Sequence, residues 1–398
     1  MQTAKDVTER REVPTPVDTI ARERLAGLVA QGSGGEFANT RVITPTMRIA
    51  VRQNHPEGPT YQEAHSYTFL MHSMGFPRLA RLGDGRIVLV ATGWTDGGRA
   101  AFILYSDDEA QSWSQPREIL RGDMRPQPVA LGGQKLMLYR ATPQHQGSYF
   151  SDDGGETWTA GEPMPKFEGK PTYHHGSLVV EGETIYSISY YEGAAHDPTG
   201  WSSYPVLWIS HDLGRTWDSV IRLPEEWLAC EGALTRAGDG ALVASLRVRP
   251  AQWTRDLPNP DSDHWQRIAT ARSMDNGLTW TDYQVHFDYG RVHTDLITLA
   301  NGDVMLTYAS RIGDIDGEKY HGVEAVLSHD NGRTWDWDNR FILFRWAMHE
   351  SMAWPVSMEL ADGRILTVFL YHYWPSWGEG APDLPGHLIT SAVIWSPK

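Results

Sequence analysis

Ser328-His329-Asp330-Asn331-Gly332-Arg333-Thr334-Trp335 decides the fold, because its pattern, S-x-D-x-G-x-T-W, returns along the chain. Ser151 to Trp158, Ser210 to Trp217 and Ser273 to Trp280 match it at every fixed position. Ser106 to Trp113 keeps the Ser, Asp and Trp, with Ala110 and Ser112 where Gly and Thr belong, which makes five copies. The residue types spell a tight turn: the Asp carboxylate accepts backbone N–H bonds, Gly supplies a positive φ, and the hydroxyls satisfy the remaining polar groups. Apolar runs such as Phe102 to Tyr105, Val206 to Ile209 and Val323 to Leu327 precede the copies. The motif therefore joins antiparallel strands and is scaffold.

A second signal interleaves with the first. Gly or Asp-Gly turns flanked by alternating apolar runs fall at Gly83-Asp84-Gly85, Gly132-Gly133, Glu181-Gly182-Glu183, Gly238-Asp239-Gly240, Asn301-Gly302 and Asp362-Gly363. These are six hairpins, and each of the first five is followed by one Ser/Asp/Trp turn. The unit is hairpin, loop, third strand, turn, fourth strand, which is one propeller blade. After the sixth hairpin the chain stops at Ser396-Pro397-Lys398, where a fourth strand is still due. The expected fold is all-β: a six-bladed β-propeller of four-stranded antiparallel blades over residues 38–398. Residues 38–53 are expected to pair with the last blade and remove its open edge. Residues 1–37 form an N-terminal extension with one short helix, capped by Asp18 and ended by Gly32 to Gly35. That helix is expected to pack on the propeller or on a second subunit.

Composition narrows the function. The net charge of −15 and the lack of Lys/Arg runs argue against nucleic acid and anionic membranes as partners. One cysteine, Cys230, and the absence of an apolar leader or of a span near 18 apolar residues lead to the expectation of a cytoplasmic protein.

Topology then sorts the residues. Hairpin turns and Ser/Asp/Trp turns share one face of the disc, so the starts of the innermost strands lie on the other. Those starts carry Met74 to Arg78, Met124-Arg125-Pro126, Tyr173-His174-His175-Gly176, Cys230-Glu231-Gly232, Val292 to Asp295 and Glu350 to Trp354. Second strands end near Tyr139-Arg140, Tyr190-Tyr191, Arg247, Arg311 and Tyr371-His372. Arg, His, Tyr and carboxylates converging on one mouth mark the candidate site.

The turns and blade count resemble the sialidase (neuraminidase) superfamily over about residues 38–398. The fourth blade carries the sharpest likeness: Glu231 opens its first strand and Arg247 closes its hairpin. The resemblance implies that Glu231 polarises the reacting nucleophile and that Arg247, with Arg311, belongs to an anion clamp. It also implies an acid/base Asp, for which Thr95-Asp96-Gly97-Gly98 offers Asp96. Two departures stand out. Gly75-Phe76-Pro77 opens the first blade where the family has Arg-Ile-Pro, and His293-Thr294-Asp295-Leu296 puts a histidine where the family has its tyrosine.

From the residues themselves, Glu231 at the ring centre needs a partner, and Arg247 is either substrate-binding or simply that partner. His293 is either a general acid/base near neutral pH or a hydrogen-bonded structural histidine. His174 and His175 are adjacent and point to opposite sides, so at most one faces the pocket. Arg125, Arg311, Trp354 and Tyr371 complete the substrate-binding set. Tryptophans outside the turns (Trp94, Trp201, Trp253, Trp265, Trp354, Trp374, Trp377) are natural sugar platforms. The expectation is a glycoside hydrolase on a glycan, read as acidic, with Glu231, His293 and Asp96 catalytic and no metal or cofactor. The alternatives are a lyase on uronate-containing glycans, a true exo-sialidase, and a non-catalytic glycan-binding propeller.

Overall fold

The computed structural model describes residues 47–53, 60–69, 75–95, 98–122, 125–142, 145–192, 203–248, 266–287, 290–315, 318–346, 354–373 and 387–397. The expected N-terminal helix lies outside them. The described residues form a six-bladed propeller of antiparallel blades.

Each blade buries both of its faces, which explains the near-continuous apolar runs. In the first blade Leu79, Leu89 and Ala91 pack toward the sixth, while Ala80, Val88 and Val90 pack toward the second. The same division repeats between blades two and three, three and four, four and five, and five and six. Every interface thus has its own apolar cluster, and a buried Leu or Val in it contributes about 1.5–3 kcal/mol.

The five Ser/Asp/Trp turns are built alike. In the fifth blade Ser328 Oγ donates to Asp330 at 2.8 Å, Thr334 N and Oγ1 donate to the same carboxylate at 2.8 and 2.6 Å, and Gly332 N donates to Ser328 Oγ at 2.8 Å. Four acceptor positions are filled within eight residues, so the motif closes on itself. Ala110 stands at φ 64°, where the other copies use Gly, and Ser112 makes both bonds that Thr makes elsewhere. Gly154 N donates to Gln134 O and Leu213 N to Glu183 O, which joins these turns to the hairpin turns on one face.

Ring closure differs from expectation in one respect. The fourth strand of the last blade is Thr60–Phe69, paired with His387–Trp395 from His65↔Ile394 to Phe69↔Thr390. Met47–Gln53 lies one place further out, along Thr60–Phe69, and meets the fifth blade at Gln53↔Phe341. The physical reason is continuity. Thr60–Phe69 directly precedes the innermost strand Gly75–Arg81, so the closing blade hands over to the next as every other blade does.

At the axis the inner strands approach closely. A Cβ on Gly176 of the third blade would overlap the Gly232 carbonyl and Ala233 of the fourth. Arg78, buried, spans the centre: it donates to Trp354 O at 3.3 Å and to His175 O at 2.9 Å. Burial lowers its pKa to about 10, and the Asp295 charge opposes that shift.

Candidate active site

Four blades open their innermost strands with a residue in the left-handed region: Phe76 (φ 55°), Glu231 (φ 43°), His293 (φ 53°) and Trp354 (φ 34°). In the first, fourth and fifth blades this residue sits in a β-bulge, between Gly75 and Arg78, Cys230 and Ala233, and Val292 and Asp295. A side chain held at such a φ costs on the order of 1–3 kcal/mol, and that strain recurs at functional sites. The effect here is to turn four side chains toward the axis. They touch in order around the ring. Phe76 and Trp354 have ring centroids 4.7 Å apart, Trp354 and His293 4.2 Å apart, and His293 Nε2 is 3.3 Å from Glu231 Oε2.

Glu231 is the chemical centre. Arg247 Nη1 donates to its Oε2 at 2.6 Å, and the same nitrogen lies 3.3 Å from His293 Nε2. Arg247 Nε donates to Gln266 Oε1, which fixes the plane of the guanidinium. The carboxylate is 9% exposed, the guanidinium 10% and the imidazole 0%, so Glu231 and Arg247 reach the mouth while His293 backs them. A charge-assisted bond of this length, largely out of water, is among the stronger polar contacts a protein makes.

The second and third blades finish the ring. Arg125, exposed, lays its guanidinium 4.4 Å from the Phe76 ring centre and 5.5 Å from that of Trp354. His175 stacks on Tyr190, whose hydroxyl is 3.3 Å from its Nε2. Burial, aided by the charges of Arg125 and Arg78, drives the His175 pKa well down, so the ring is neutral at neutral pH. Burial and then the Glu231 charge drive Tyr190 well up, keeping it a phenol. Below them Asp295 is buried, and desolvation raises its pKa to about 6 despite a 2.9 Å bond from Ser357 N.

No protein-family model matches the chain. A curated sialidase of Clostridium perfringens is 26% identical over 217 residues, covering 43% of this chain and 54% of that protein. The chain thus spans about half the length of the curated relative it matches. Among solved structures, the NanB sialidase of Streptococcus pneumoniae superposes with a TM-score of 0.56 at 13% identity, over 89% of this chain and 71% of that one. At this identity the likeness is one of fold, a β-propeller. An α-L-arabinofuranosidase of Fusarium graminearum matches with a TM-score of 0.52 at 14% identity, over 81% and 93%. A Dyadobacter fermentans protein of unknown function gives 0.59 at 18%, over 88% and 99%.

The propeller brings together Glu231, Arg247, His293 and Trp354, with Arg125 and His175 on the same ring. His174 turns away: its Nδ1 lies 2.9 Å from Ile188 O and 3.0 Å from Ser187 Oγ, with its ring edge-on to Tyr139. Asp96 and the side chains of Arg311 and Tyr371 lie outside the described residues, as do those of Trp94, Trp201, Trp253, Trp265, Trp374 and Trp377. Phe76 and Gln266 join the site without having been singled out, and Tyr190, expected only at a strand end on the mouth, stacks on His175. For Phe76 a signal existed, since Phe76-Pro77 and Trp354-Pro355 place an aromatic before Pro at matching strand starts. For Gln266 there was none.

Proposed function

We propose that this protein is a glycoside hydrolase that cleaves a glycan at the propeller mouth, with Glu231 as the carboxylate that draws the proton from the attacking nucleophile. The observation that carries the reading is the Glu231–Arg247–His293 junction, three groups from two blades within 3.3 Å, with Glu231 and His293 held at positive φ. Glycoside hydrolysis pairs one such carboxylate with a proton donor for the leaving oxygen. Asp96, next in sequence after the first blade's second strand Ile87–Thr95, is our candidate for that role. Arg125, with Phe76 and Trp354 beneath it, offers a flat cationic surface at the mouth, in keeping with an acidic glycan. The neighbours support a glycan: one is a sialidase, and the Fusarium enzyme was solved with arabinobiose.

The test is mass spectrometry of products from sialylated, uronate-containing and neutral oligosaccharides in H₂¹⁸O. Cleavage with one labelled oxygen gained, abolished by Glu231→Gln, is the expected result. Cleavage without gain of water makes the protein a lyase. Intact substrates with measurable binding make it a glycan-binding propeller.

A further inference from the structure

We infer that His293 is a positioning residue and proton store for Glu231, rather than a group that meets substrate. This rests on the hydrolase reading above and adds the path that the proton takes after Glu231 receives it.

The geometry carries the argument. Arg247 Nη1 has two hydrogens and faces two acceptor positions, Glu231 Oε2 at 2.6 Å and His293 Nε2 at 3.3 Å. If one hydrogen serves each, the resting imidazole is neutral with its lone pair on Nε2, and the carboxylate and guanidinium balance in charge. Nε2 also lies 3.3 Å from Glu231 Oε2. When Glu231 takes a proton from the nucleophile, the O–H bond it forms lies beside that lone pair. The proton then passes to Nε2 as the Arg247 hydrogen that faced it turns away, leaving imidazolium against carboxylate, with the other Nη1 hydrogen still bonded to Glu231. When product leaves, the proton returns through Glu231 to water, and every atom is accounted for.

Burial gives the division of labour. The His293 side chain is 0% exposed and lies under Trp354, so a sugar at the mouth meets Glu231 and Arg247 first. The stack on Trp354, at 26° between planes, fixes the ring so that Nε2 points at the carboxylate. Among the described residues, the other charged groups around this strand include Arg291 and Asp295 on the strand itself, Glu324, 3.8 Å from Arg291 Nε, and Arg78, whose charge acts on Asp295 from the first blade.

Two measurements test this. In the whole protein labelled with ¹⁵N-histidine, His293 is expected to give an unprotonated Nε2 signal at pH 7, identified by its loss in His293→Gln. A protonated Nε2, in either a neutral or a charged ring, overturns the proposal, and this readout needs no substrate. On a glycan that the wild type cleaves, His293→Gln is expected to lower kcat about 100-fold while KM stays within about threefold, and to shift the acidic limb of the kcat/KM profile. His293→Phe, which keeps the stack, is expected to do the same. Unchanged limbs with a matching loss of thermal stability in both variants would make His293 structural only. Failure of the wild type on every glycan overturns the hydrolase reading instead, and leaves the nitrogen signal to decide the relay geometry.

Discussion

His293 lies flat against Trp354, ring centroids 4.2 Å apart and planes 26° from parallel, although the two residues open neighbouring blades. Both are held at positive φ. The stack is therefore a product of two strained strand starts, and it aims the imidazole at Glu231.

Trp354→Leu removes the stack and leaves the strand. The imidazole loses its fixed plane, and a displacement of about 1 Å at a reacting centre costs up to about 100-fold in rate. Turnover is expected to fall by ten- to 100-fold, with a smaller change in KM, in steady-state kinetics. An unchanged kcat would show that Glu231 is positioned by Arg247 alone.

Arg247→Met leaves the Glu231 carboxylate buried without its 2.6 Å partner. Breaking a buried pair from one side costs about 3–5 kcal/mol. Urea unfolding should show a loss of that order for Arg247→Met. The double variant with Glu231→Leu should recover most of it, because no charge is then stranded. A double variant less stable than Arg247→Met would mean that the pair is not the source of the loss.

Gly176→Ala tests the axis. The added Cβ meets backbone of the neighbouring blade, the Gly232 carbonyl, so no side chain can swing aside. A destabilisation of about 3 kcal/mol is expected from overpacking of this kind, read as a drop in the urea midpoint. Gly182→Ala, at an open turn with nothing near its Cβ but with φ 59°, should cost only about 1 kcal/mol.

Stability should rise with pH between about 4 and 6.5. Burial lowers the pKa of both His286 and His174 to about 4, against about 6.5 unfolded. Across that window the unfolded chain binds more protons, so raising the pH favours the fold by about 3 kcal/mol for each imidazole. Asp295 acts in the opposite sense, because its pKa is raised to about 6 and the folded state holds the proton longer. Two histidines outweigh one aspartate. His286→Phe should flatten the difference in unfolding free energy between pH 4.5 and 7, and an equal difference in the variant would reject the assignment.

The sequence alone determined the ring: six hairpins, five self-contained turns and the mouth where inner strands begin. Those features are local. The Ser328–Asp330–Gly332–Thr334 bonds close within eight residues, and the near-continuous apolar runs follow from a blade with neighbours on both faces. Glu231 and Arg247 were legible for the same reason, as the two ends of one hairpin. Tertiary structure decided the rest. Alternation assigns faces only while a strand is regular, and each bulge at Phe76, Glu231 and His293 resets it, so parity could not place Arg78 at the axis. Alternation also could not show that Thr60–Phe69 closes the ring, nor that His174 turns inward to Ile188 while His175 meets Tyr190. The junction of Arg247 with His293 joins residues 46 positions apart in different blades. Contacts of that range form only when the apolar interfaces between blades bring the inner strands together around one axis.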